Sequence, residues 1–410
     1  MAGPHPWRLA ACAATTSAVL IGSPSSAADS QTLTGDWGGA RTSLAANGIT
    51  VRADMTGYTQ GVVTGAPNRT WDGSGRADLF IDAYSGKLGL WSGTGLHTHG
   101  EIRFADPRSN FGGQLWPANT GAALPLTGAG RFEATSLYLS QKIDKRTTLL
   151  VGKINAVDLL AGDPFFGGWG TQRFMNLAFV APPSGVVPPT IMGAVVVHRG
   201  TPITLTVMVF DPQDRTGDYG LGGLFAKGVN ISIGATWNGA IAGRPSSFGV
   251  TSTVTTKRGQ DLGDILLPPG LVSSTRKGSY NIAVQASHLL IESAAVKGKG
   301  LGLYAKAAIA DGNPNVIRAS IAGGLAGHAL IGSRPRDSFG IGGFYYKFSD
   351  VLQDTVEPLA RFRDEAGVEA WYSMAATPWL KLTADAQVIS PARGDRPTSL
   401  VLGLRGNVAF

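Results

Sequence analysis

The sequence is nearly without cysteine, sparing with charge and free of long apolar runs. Its single cysteine, Cys12, falls in a segment that reads as a removable leader, so a disulfide framework and a cysteine metal site are both excluded. Charged residues make up 15% of the chain, against ~25% in ordinary soluble domains. The formal net charge is +7, with scattered arginines and no basic run interleaved with aromatics, which argues against nucleic acid as a partner. No stretch approaches the ~18 apolar residues of a membrane-crossing helix. Neither a G-x-S-x-G elbow nor an ATP-binding motif occurs.

What is present points to a closed sheet in lipid. The chain has 57 glycines in 410 residues, roughly twice the usual ~7% share. A barrel satisfies every backbone polar group between strands, so it crosses a membrane without any long apolar segment. The N-terminus fits a signal peptide over 1–27. Arg8 supplies the positive charge, 9–21 is small and apolar, and Ser25-Ser26-Ala27 fits a cleavage site, with Ala28 as the neighbouring choice. Leu9-Ala10-Ala11-Cys12 has lipobox spelling, but no apolar segment precedes it. Residues 28–47 read as a periplasmic segment in which Asp36 caps a short helix that runs to Ala46 and stops at Asn47-Gly48.

From 48 to 410 the pattern has period two, the mark of strands. Leu380, Leu382, Ala384, Ala386 and Val388 share one face, and Lys381, Thr383, Asp385 and Gln387 the other. In the last strand Leu400, Leu402, Leu404, Val408 and Phe410 point one way, and Val401, Arg405 and Asn407 the other. Sixteen such strands are expected. The first eight are 48–60, 76–88, 95–104, 132–142, 147–154, 190–199, 202–210 and 228–237. The rest are 245–257, 278–290, 300–310, 316–328, 338–348, 365–376, 379–390 and 398–410. Most have about the ~9–11 residues of a tilted membrane strand. Long connections (105–131, 155–189, 211–227, 258–277, 349–364) alternate with tight turns, and 311–315 is the exception. That phase is expected of an up-and-down barrel with long loops outside and short turns in the periplasm.

Function would then lie in what narrows the lumen of such a barrel. The longest connection, 155–189, holds Asp163-Pro164-Phe165-Phe166-Gly167-Gly168-Trp169 and Arg173-Phe174-Met175-Asn176, and is expected to fold inward as a constriction. On the third strand His97, His99, Glu101 and Arg103 share a face. Charges facing lipid at mid-membrane would cost ~2–4 kcal/mol each, so this face points inward. Arg76, Asp78 and Asp82 on the second strand, and Lys153, Arg318 and Arg405 elsewhere, are further lumen candidates. Carboxylates and guanidinium groups match sugar hydroxyls, which both donate and accept. The expected substrate path is therefore Arg76, Asp78, Glu101, Arg103, Lys153, Trp169 and Arg173. The plain alternative is that these charges pair with one another and hydrate a general pore. His97-x-His99 lacks a third convergent metal ligand. His288 has Ser287 beside it, but pointing the other way, so no catalytic residue, metal or cofactor is assigned.

Three stretches resemble the carbohydrate-selective porin family of Gram-negative outer membranes. They are Leu33-Thr34-Gly35-Asp36-Trp37-Gly38-Gly39 through Ile49, Val151-Gly152-Lys153-Ile154-Asn155, and Phe174-Met175-Asn176 continuing through Pro182-Pro183 to Pro188-Pro189. The terminal strand ending at Phe410 is similar to the assembly signal of outer-membrane barrels, which implies the barrel-assembly machinery as a partner. The resemblance implies a sixteen-stranded barrel in outer-membrane lipid, an inward third loop, and passive, selective diffusion of glucose and similar sugars. A general or ion-preferring pore is the alternative, and an enzyme or adhesin that uses its loops is the third reading.

Overall fold

The computed structural model describes residues 31–66, 69, 71–105, 114–125, 127–181, 186–268 and 273–410. The leader, its cleavage site and Pro182-Pro183 lie outside them. The strands are β1 (Ile49–Thr64), β2 (Trp71–Tyr84), β3 (Thr94–Phe104), β4 (Phe132–Lys142), β5 (Thr147–Asn155), β6 (Thr190–Arg199), β7 (Ile203–Phe210) and β8 (Asn230–Ile241). They continue as β9 (Arg244–Gln260), β10 (Thr275–Glu292), β11 (Gly300–Ala310), β12 (Ile317–His328), β13 (Ser338–Phe348), β14 (Glu365–Ala375), β15 (Leu380–Ser390) and β16 (Ser399–Ala409).

Each strand pairs antiparallel with its sequence neighbours, and β1 pairs with β16, so the ring of sixteen closes without an edge. At the seam Tyr58 lies opposite Arg405 and Asp54 opposite Ala409, and Phe410 N donates to Ala53 O at 2.8 Å. Alternation decides which side chain goes where. Leu79, Ile81, Leu137, Leu139, Val207 and Val209 are exposed on the outside, whereas Arg76, Asp78, Thr56 and Gln60 are buried on the inside. An apolar exterior suits lipid, and a polar interior keeps its partners away from it. Among the described residues no helix is long and apolar enough to cross a membrane, which says nothing of crossing by strands.

Several boundaries differ from expectation. β2 begins at Trp71 and ends at Tyr84, because Trp71–Gly75 pairs with the end of β1 and Leu88 N turns back to Tyr84 O at 3.3 Å. The first connection is therefore short, 65–70, alongside 311–316 and 391–398, so fewer of the outer loops are long than expected. β8 runs on to Ile241 through a tight turn at Ala242 and Gly243, both at positive φ (50° and 75°). Asp36 does not cap the helix α1 (Ala40–Ala46) directly. A 3-10 turn at Trp37–Gly39 intervenes, and the Asp36 carboxylate instead accepts from Thr42 N at 2.9 Å and Thr42 Oγ1 at 2.8 Å.

Candidate functional site

The walls of β2 and β3 set like charges opposite each other: Arg76 faces Arg103, and Asp78 faces Glu101. Such pairs repel unless the side chains find diagonal partners. They do. The Arg76 guanidinium contacts both the Asp78 and the Glu101 carboxylates, with Nε 3.0 Å from Asp78 Oδ2. Arg103 swings away and donates to Ala122 O at 2.5 Å. Asn155 Nδ2 takes the other Glu101 oxygen at 3.2 Å. His99 stacks on Phe80 at 3.9 Å, with Nε2 3.1 Å from Asp78 and Nδ1 2.9 Å from Asp158. Asp158 also accepts from Trp169 Nε1 at 2.9 Å and Ser136 Oγ at 2.7 Å. Buried charges persist only when paired and hydrogen-bonded, and this network supplies both conditions.

The network ties the connection 156–189 to the wall at one side, and other contacts tie the same connection to strands far around the ring. Glu369 of β14 accepts from Met175 N at 2.5 Å and Asn176 N at 3.0 Å. Asn176 Nδ2 donates to Gln387 of β15 at 3.1 Å. Arg405 of β16 donates to the carbonyls of Gly170 at 2.9 Å and Arg173 at 2.8 Å. Phe165 stacks on Tyr304 of β11 at 4.9 Å, Phe174 meets Trp371 at 5.8 Å, and Phe179 meets Phe344 at 5.6 Å. These rings form one buried cluster.

The connection between β3 and β4 reaches across as well, which the sequence reading did not anticipate. Ala118 O accepts from Gln387 Nε2 at 2.9 Å, Leu115 N donates to Glu365 at 2.7 Å, and Thr120 N donates to Met175 O at 2.7 Å. The two connections meet closely. A Cβ on Gly121 would lie 2.0 Å from Tyr58 Oη, and one on Gly170 would lie 2.9 Å from Gly121 N. Trp169 sits at φ 51° between Gly168 and Gly170, themselves at positive φ. A bulky side chain in the left-handed region is a strained arrangement that the surrounding packing must hold.

The seven sequence-predicted residues separate by exposure. Arg76 (1%), Asp78 (6%), Glu101 (3%), Arg103 (5%) and Lys153 (4%) are buried. Lys153, two residues before Asn155, makes contacts of its own. It donates to Thr216 O at 2.7 Å and lies over the Tyr219 ring at 4.3 Å. Trp169 and Arg173 are partly exposed. Arg173 lies within electrostatic range of Lys381, Arg405 and His328. Sequence reasoning missed Asp158, Glu369 and Gln387. For the last, the polar face of β15 was a signal, but nothing in it named a loop as the partner. Arg318 is exposed and pairs with Asp350 at the rim.

Ligand atoms of Asp78, His99 and Glu101 lie within 4.8 Å of one another, a spacing that suits a cation, but the Arg76 guanidinium already contacts both carboxylates. His97 is apart, bound to Asp82 at 2.7 Å and Ser140 at 2.8 Å. His288 meets Ser246 Oγ at 2.8 Å, yet among the described residues no carboxylate or amide orients that ring, as a nucleophilic triad requires.

A description of the carbohydrate-selective porin, OprB family matches residues 68–410, a span that begins after the motif at 33–49. The structure superposes on OprB of Pseudomonas putida at high pH with a TM-score of 0.81 and 21% identity, covering 93% of this chain and 99% of that one. The low-pH structure of the same protein gives 0.59 at 17% identity over the same shares. The outer membrane channel DcaP of Acinetobacter baumannii gives 0.54 at 12% identity, over 88% of this chain and 97% of that one. At these identities the superpositions speak to the fold. No curated protein matches the sequence.

Proposed function

Because this chain belongs to the carbohydrate-selective porin, OprB family, we propose that it is an outer-membrane channel through which glucose and similar small sugars diffuse passively. Family and fold point to a channel rather than an enzyme. The observation that supports the reading is the set of hydrogen bonds joining 156–189 to His99, Glu369, Gln387 and Arg405 on four different strands. A sixteen-stranded barrel without such an obstruction is wide enough for an aqueous channel. With it, the path narrows beside Trp169 and Arg173. In this proposal Arg76, Asp78, Glu101 and Arg103 position the constriction. Trp169 offers a ring face to a sugar, and Arg173 offers donors. Lys153 holds the outer loop at Thr216. Export by the 1–27 leader and insertion by the barrel-assembly machinery through the strand ending at Phe410 complete the reading.

A second reading, an anion-preferring pore, is favoured by Arg173, Arg405 and Lys299, all within electrostatic range of Lys381. Single-channel recording with graded glucose separates the two. Sugar selectivity predicts dose-dependent block, weakened roughly threefold to tenfold in Trp169→Ala by loss of ring contact. Equal passage of glucose and an equally small non-sugar solute in liposome swelling, with a strong anion preference, would establish the second reading instead.

A further inference from the structure

The connection 156–189 engages most of the ring but leaves one stretch of wall clear. Its hydrogen bonds and ring contacts fall on β1 to β4 and on β11 to β16. Leu159 and Val187 pack on the apolar inner cluster of β5 to β7. At the extracellular start of β8, Asn230 Nδ2 donates to Val186 O at 2.8 Å. Among the described residues none of these contacts reaches β9 or β10.

The register fixes which residues face the lumen there. Lys306 of β11 points inward, because its ammonium lies over the ring of Phe166 at 5.1 Å. Across the ladder, Lys306 lies opposite Gln285, Gln285 opposite Gly249, Gly249 opposite Thr236, and Thr236 opposite Thr204. Residues two apart on a strand share a face, so the next inward row is Thr206, Gly234, Thr251, Ala283 and Ala308. Between the rows Leu205, Val250 and Val284 are exposed on the outside. Both inward rows lie at the level the docked connection crosses, since Phe165 and Phe166 meet β11 at Tyr304 and Lys306.

Apart from Lys306, the two rows carry no charge. Glycine and alanine at 234, 249, 283 and 308 hollow the middle of the wall. A Cβ on Gly249 would lie 3.2 Å from both Gln285 Cγ and Thr236 Oγ1, and one on Gly234 would lie 3.2 Å from Thr251 Oγ1. Polar groups therefore flank the hollow. Thr206, Thr236 and Gln285 are partly exposed and Thr251 is exposed. Among the described residues their side chains have no hydrogen-bond partner. The contrast with the next row is direct: Thr253 Oγ1 donates to Ser232 Oγ at 2.9 Å, and both residues are buried. It also contrasts with Arg76, Glu369 and Arg405, which are engaged by protein.

We propose that this hollow is the sugar-binding wall of the channel, with Thr251 and Gln285 as its specificity-determining residues and Lys306 as a donor at its edge. Hydroxyls and a side-chain amide both donate and accept, as sugar hydroxyls do, and an ammonium donates. A neutral polyol is thus matched group for group by side chains that the fold has left unengaged. The proposal rests on the sugar-channel reading and adds to it the wall that the docked connection leaves clear.

The test is planar-bilayer recording of the full chain with graded glucose. The variant T251V/Q285M keeps side-chain volume and removes the hydrogen-bonding groups. Its half-blocking glucose concentration should rise about tenfold, with a far smaller change in KCl conductance. The control S232A/T253V removes hydroxyls that bond each other and should be blocked as the parent is. A third variant, A283W, fills the hollow and should lower conductance and slow glucose-driven liposome swelling. Parental block in T251V/Q285M would overturn the proposal, as would equal weakening in the control or parental conductance in A283W. Should T251V/Q285M not fold, A283W decides the matter by itself. A parent that glucose does not block would instead overturn the sugar reading, and this wall with it.

Discussion

Arg405→Ala tests whether the connection 156–189 sets the width of the channel. In the parent, Arg405 Nη1 donates to Gly170 O at 2.9 Å and Arg173 O at 2.8 Å, and Nη2 donates to Thr383 at 3.1 Å. Hydrogen bonds from a charged donor contribute ~1.5–3 kcal/mol each. Two act on the loop, but water entering the vacated space would rehydrate the freed carbonyls. We therefore take the net loss as one bond's worth, about 1.5–3 kcal/mol, or a 10- to 160-fold rise in the population of undocked loop. The aromatic cluster around Phe165, Phe174 and Phe179 remains, so docking should become intermittent and not vanish. Planar-bilayer recording should show one steady conductance in the parent and excursions to a larger level in the variant. Glucose block should weaken in proportion to the time spent open. The barrel itself loses no ladder hydrogen bond, so its heat-modifiable mobility should persist. A variant with parental conductance, no excursions and parental glucose block would refute the argument that this loop is the constriction.

Gly121→Ala puts a methyl group 2.0 Å from Tyr58 Oη, so the connection between β3 and β4 must shift away from the β1 wall. The expected result is faster proteolysis of the full chain within 114–131 and a raised conductance, both relieved when Tyr58→Ala is added. Asp211, just beyond the end of β7, offers a pH-dependent test outside the membrane. Burial disfavours its charged form, but Arg215 Nη2 at 2.6 Å and the Gln213 and Phe225 amides outweigh that and hold its carboxyl below the usual range. A depressed folded-state pKa contributes stability that is present above the unfolded value and is lost as pH falls through the folded one. The loop 211–229 should thus resist proteolysis near neutrality and lose that protection in acid, and Asp211→Asn should lack it even at neutral pH. Equal protection of parent and variant at neutral pH would count against it.

The strands were legible because lipid outside and water inside impose opposite demands on alternate residues, and a period of two survives in the sequence without any alignment. The alternation in Leu400 to Asn407 and in His97 to Arg103 already placed Arg405, Glu101 and Arg103 on the inner face. Boundaries were read least well where the pattern is weak. Trp71–Gly75 carries four polar or glycine positions in a row and was recognisable as strand only through its pairing with β1.

What the inner charges do was decided by tertiary structure. An inward side chain can meet solvent, a substrate, another wall residue or a loop, and period two does not distinguish these. Here Arg76, Asp78, Glu101, Arg103 and Arg405 all find protein partners, several of them on connections distant in sequence: Leu124 O near Arg76, Ala122 O on Arg103, and Gly170 O on Arg405. The second connection entering the ring had no local signature, because its hold is a handful of backbone groups meeting Gln60, Glu365 and Gln387. Alternation thus determined that the chain is a barrel and which way its residues face. Ring closure, which brings a loop between β5 and β6 against β11 to β16, determined which of them meet that loop and which do not.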